Sequence, residues 1–153
     1  MIRWDAVKEE FAWDGSLRDI YIAPATVDDW AAIWPLLREY PLAEFSVDSQ
    51  KQPAPATVQE VFALRAFGNP MLRLKAGSVR IVFHFFSTGE IECDIDPREI
   101  KSQPDLDALL AFVQQMGDKT GKGAIITPEN SREEPFITYD PQTQDFHRAA
   151  IGA

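Results

Sequence analysis

The chain has 153 residues, 45% of them apolar, with 24 acidic against 15 basic side chains and a formal charge of −9. A chain of this length folds by default as one domain with its own core, and a charged fraction of 25% is ordinary for a globular protein and separates it from a disordered acidic tail. Acidity of this size repels a phosphate backbone and excludes nucleic acid as the expected ligand. The single cysteine, Cys93, excludes an intrachain disulfide and a thiolate metal cluster. No run reaches membrane-spanning length and the opening MIRWDAVKEEF is no signal sequence, so no membrane partner is expected and the compartment expected is the cytoplasm.

Trp4, Val7 and Phe11 share one helical stripe, which predicts a short helix over residues 3–11, with a strand ending at Trp13 as the competing assignment. Asp14-Gly15 marks a turn, and Leu17 to Ala23 reads as a strand rich in β-branched and aromatic residues, on which Arg18 and Asp19 are expected as a surface ion pair, with a role in recognition as the alternative. Thr26 can cap a helix carrying Trp30, Ile33, Trp34 and Leu37 on one face and ending near Tyr40-Pro41. Core packing is the expected role of Trp30 and Trp34, with an exposed aromatic anchor as the alternative. Leu42 to Val47 is predicted as a strand and Ser49 to Ala56 as a flexible loop. Thr57 caps the next helix, which Gly68-Asn69-Pro70 ends.

Met71 to Lys75, Val79 to Phe86 and Glu90 to Asp96 then form a three-strand meander. A loop Ser87-Thr88-Gly89, with Gly89 left-handed, sets Phe83 opposite Cys93, His84 opposite Glu92 and Arg80 opposite Asp96. Ser102 caps a helix with Pro104 in its first turn and a buried stripe of Leu106, Leu109, Leu110, Val113 and Met116. The run Gly117 to Gly123, GDKTGKG, has the order of a helix-ending turn and lacks the strand-loop-helix mechanics of a phosphate loop. Ala124 to Thr127 and Phe136 to Tyr139 are two further strands, and residues 141–153 are expected to fray. The sum is a single α+β domain over residues 1–153: mostly antiparallel sheet, a central meander at about 71–96, and about three helices on one face.

The hairpin concentrates the candidate chemistry. His84 beside Glu92 and Asp94 suggests a general base or a metal ligand set, and hence a small metal-dependent hydrolase. The competing explanation is cross-strand charge pairing of Arg73, Lys75 and Arg80 with the acids. His147 lies too far along a polar tail to complete a metal site, and Cys93, facing away from His84, is a buried thiol. No catalytic residue and no cofactor follow from these patterns. The binding candidates are the acids Glu90, Glu92, Asp94 and Asp96 with His84, and the loop acids Asp14 and Asp48, all suited to a basic protein partner.

WDGSLRDIY at Trp13 to Tyr21, HFF at His84 to Phe86, EIECDIDPREI at Glu90 to Ile100 and TPEN at Thr127 to Asn130 together resemble a group of small bacterial proteins of undefined biochemistry. Compact acidic proteins of this kind are associated with the immunity partners of polymorphic toxins. The resemblance implies a non-enzymatic protein that neutralises a toxin by occlusion, and it carries over no catalytic residue. A housekeeping binding module differs from this expectation only in its partner.

Overall fold

Alternating apolar residues build a sheet that runs through the whole chain. In the computed structural model, which describes residues 2–149, the strands are β1 (Arg18–Ile22), β2 (Glu44–Val47), β3 (Gln50–Gln52), β4 (Pro70–Ala76), β5 (Val79–His84), β6 (Ile91–Ile95), β7 (Ala124–Pro128), β8 (Ile137–Asp140) and β9 (Asp145–Arg148). They lie in the order β3-β2-β4-β5-β6-β1-β7-β8-β9, each neighbouring pair antiparallel. The helices are α1 (Trp4–Val7), α2 (Val27–Arg38), α3 (Val58–Ala63) and α4 (Gln103–Thr120). The fold is mixed α+β with a multi-stranded antiparallel sheet, and the meander β4-β5-β6 lies inside that sheet.

One face of the sheet is closed by the helices. Thr26 caps α2 reciprocally with Asp29, and Thr57 and Ser102 accept from Glu60 N and Asp105 N at the starts of α3 and α4. Trp30 of α2 packs on Phe83 and Phe85 with ring centroids 6.4 and 5.0 Å away, and Phe112 of α4 lies 5.9 Å from Phe83. Trp30 and Trp34 are both buried, so they serve the core and neither is a surface anchor. Each such ring contributes roughly 1.5–3 kcal/mol through burial. Cys93 faces the same core, where burial pushes its thiol well above the usual range.

Several local expectations are corrected. Asp145–Arg148 pairs with β8, so the tail expected to fray from Pro141 is ordered through Arg148; residues 150–153 of it lie outside the described residues. The loop expected at 49–56 contains β3, paired to β2, and β2 begins only at Glu44 because Leu42 has a left-handed φ of 59°. Gly89 is not left-handed; the loop is closed instead by Gly89 N donating to Ser87 Oγ (3.0 Å) and Ala25 N donating to Gly89 O (2.8 Å). Arg18 and Asp19 are not a surface ion pair. Consecutive strand residues point to opposite faces, and both are buried. Arg18 donates to Glu10 O (2.7 Å), Ala12 O (2.8 Å) and Ser16 O (3.0 Å), tying the N-terminal segment to β1.

Helix α4 ends as its sequence requires, with Gly121 left-handed at φ 68° and its N–H donating to Gly117 O. Gly117 itself is needed for contact, since a Cβ there would stand 2.5 Å from the Tyr139 ring. Gly117→Ala is therefore expected to lower stability by about 1–3 kcal/mol, measured by urea denaturation. An unchanged midpoint would contradict the close packing of α4 on β8.

Candidate binding surface

The face opposite the helices is where the polar residues of the strands collect. Met71, His84, Glu92, Tyr21 and Ile125 are consecutive cross-strand partners in one row, and Arg73, Val82, Asp94, Asp19 and Thr127 form the next. His84, Glu92 and Asp94 are thus brought together as the alternation requires. His84 is directly opposite Glu92 but bonds diagonally, Nε2 to Asp94 Oδ2 at 2.6 Å, while its Nδ1 is buried without a partner among the described residues. The Asp94 bond holds the His84 pKa above its ordinary 6.5 against the opposing effect of burial. Glu92 is also raised, first by burial and then by Glu90 and Asp19, although the Tyr21 hydroxyl opposes the shift.

The remaining acids are held by cations that the hairpin itself does not supply. Arg98, in the turn after β6, forks onto Asp96 through Nη2 at 2.8 Å, and this bond holds the Asp96 carboxyl below its usual range. Arg132, from the loop after β7, pairs with Glu90 and lies over the Tyr21 ring at 4.6 Å. The expected zip between the meander's bases and acids is accordingly corrected: among the described residues Arg73 and Lys75 make no ion pair, and Arg80 reaches Glu99 at 3.7 Å and not Asp96. Asp14 binds Ser16 and Arg18, and Asp48, after β2 and with β4 and β5 between it and β6, fixes a turn by accepting from Asn69 N at 2.8 Å. His147 is on β9, remote from His84.

Asp19, expected in a surface ion pair, and two half-exposed aromatics have roles that the sequence did not indicate. Asp19, buried on this face, accepts from Tyr21 Oη and from Asn130 N, both at 2.8 Å, which pins the loop after β7; burial, with Asp19 adding to it, pushes the Tyr21 phenol above its ordinary value. Phe86 and Trp13 are about half exposed. Phe86 stacks on His84 at 5.0 Å, and Arg98 lies over the Trp13 ring at 3.9 Å. The local signal for Phe86 was present in HFF, where a third aromatic exceeds what alternation buries on one face. Trp13 carried no such signal, because its contact with Arg98 depends on the end of β6 meeting the start of β1.

Catalytic readings gain little from this geometry. Among the described residues no group of three or more His, Cys, Asp or Glu side chains is placed to hold a metal ion, which counts against the hydrolase alternative. No described helix is long and apolar enough to cross a membrane.

No family model matches the chain, and no curated protein matches its sequence. Among solved structures, a chain from the crystal structure of the toxic C-terminal tip of CdiA from Pseudomonas aeruginosa in complex with immune protein is similar, with a TM-score of 0.51 and 8% sequence identity. The superposition covers 90% of this chain and 99% of that one. At that identity the likeness is one of fold.

The His84–Asp94 pair has a defined pH signature. A histidine whose folded pKa is raised gives its full stabilisation below 6.5 and loses it as pH rises through the higher folded value. Asp94→Asn should cost about 1.5 kcal/mol near pH 5.5, and the part owed to the charged pair should vanish as His84 deprotonates. Urea denaturation across this range checks it, and a cost that is the same at every pH would contradict the ion pair.

Proposed function

We propose that this protein is a non-enzymatic binding protein that neutralises a bacterial toxin domain by covering it with the open face of its sheet. The observation that carries the reading is the composition of that face. Helices close the other side, whereas here Phe86 stands half exposed and stacked on His84, and at the margin, where β6 ends and β1 begins, half-exposed Trp13 lies under Arg98, which Asp96 holds. Aromatic and arginine side chains on a rigid support are the usual source of binding energy at protein interfaces. Asp94 holds the His84 that supports Phe86, Asp96 holds the Arg98 that covers Trp13, Glu92 faces His84 across the ladder, Glu90 is paired with Arg132, and Asp14 adjoins Trp13 in sequence.

The fold likeness to a chain of a toxin–immune complex supports the setting. Of the two roles in such a complex, the inhibitor's fits better, since the lone cysteine is buried and His84 is engaged by Asp94, with no metal-holding group among the described residues. The charge of −9 favours a basic partner at long range. Because Glu90 and Asp96 already pair with arginines and Asp94 with His84, the contact itself relies more on the aromatic anchors than on free carboxylates.

Co-expression with the C-terminal domain encoded immediately upstream is the test. Protection of growth and a stable complex are expected, with Phe86→Ala and Trp13→Ala each weakening binding by about 2 kcal/mol, roughly 30-fold. A neighbouring reading frame without toxicity, or protection that both variants preserve in full, would contradict the proposal.

A further inference from the structure

Arg73, Lys75 and Arg80 form a positive patch on the same open face, and their arrangement works against the fold. Lys75 stands directly across from Arg80 in the β4–β5 ladder, with Arg73 at the next outward position of β4. Like charges directly opposed destabilise a sheet. Relief is partial: Arg80 reaches Glu99 at 3.7 Å, but Arg73 and Lys75 have no ion pair among the described residues, since Glu44, the cross-strand partner of Arg73, turns its carboxylate to Lys51 Nζ at 3.5 Å and Asp94 is bonded to His84. A cleft of about 250 Å³ lies between these cations, Glu44 and Leu42. Leu42 is 73% exposed and holds a left-handed backbone that a branched apolar residue disfavours.

We infer that Arg73, Lys75, Arg80 and Leu42 are a second contact of the open face, taking a carboxylate-bearing protein segment with an apolar side chain laid against Leu42. The inference rests on the reading of this face as a protein-binding surface and sharpens the description of the partner. Its surface is bipolar: basic opposite the β6 acids and acidic opposite β4 and β5. Charge complementarity selects the carboxylates, and Leu42 selects a peptide over a small anion, since phosphate gains nothing from an exposed leucine. A polyanion such as nucleic acid is repelled by the chain's −9 charge.

An NMR titration of the full chain at low salt tests the patch without any toxin, so failure of the immunity reading leaves its outcome unchanged. The probes are a capped Glu-Glu-Leu-Glu-Glu peptide, its Lys-Lys-Leu-Lys-Lys counterpart and inorganic phosphate. The acidic peptide is expected to shift the amides of Arg73, Lys75 and Arg80 saturably, whereas the other two probes leave them unmoved at the same concentration. Lys75→Glu gives Arg80 an opposite charge, and Leu42→Asn suits the left-handed backbone, so both variants should raise the Tm while weakening peptide binding by about fivefold or more. The inference is overturned by peptide shifts that do not saturate or survive both substitutions, by phosphate or the lysine peptide matching the acidic peptide, or by a Tm that falls in both variants.

Discussion

Trp30 is where α2, α3 and the central meander meet. Its ring lies 5.4 Å from Phe62 of α3 and against Phe83 and Phe85, fully buried, and its indole N–H has no acceptor among the described residues. The indole sits there for its packing, despite an unmade bond worth about 1–3 kcal/mol. That contact decides which face of the sheet is closed. With a side-chain period of two, it also decides that His84, Glu92, Asp94, Arg73, Lys75 and Arg80 all face the other way.

The open face is ordered from its margins. Arg98, Arg132 and the Asn130 amide come from turns beyond the strands, and they hold Asp96, Glu90 and Asp19. Arg18 performs the matching task on the closed face, drawing the carbonyls of the N-terminal segment to β1. A surface whose acids are held in this way presents its aromatics without much freedom to lose on binding, which favours recognition by a preformed face.

Much of this was legible in the sequence, for physical reasons that can be named. The alternation in β5 and β6 and the short loop between them fixed the Phe83–Cys93 and His84–Glu92 register, and the Thr26, Thr57 and Ser102 caps marked the helix starts. What was not legible depended on contacts distant in the chain. Arg18 beside Asp19 looks like an exposed pair until the carbonyls of residues 10–16 and the loop after β7 close over opposite faces. The tail was polar enough to read as loose, yet Tyr139 and Phe146, with ring centroids 4.7 Å apart, hold β9 to β8. The partners of the hairpin acids came from Arg98 and Arg132, which no strand register could supply.

The proposed function requires that the open face is the one that binds. Methyl NMR of the chain bound to the upstream-encoded toxin domain tests this most directly, because Met71 and Ile125 project from the open face and Leu36 lies on α2. Binding through the open face shifts or broadens the Met71 and Ile125 methyls in the complex and leaves Leu36 unchanged. Perturbation confined to Leu36 and its helix, with Met71 and Ile125 unmoved, would contradict it.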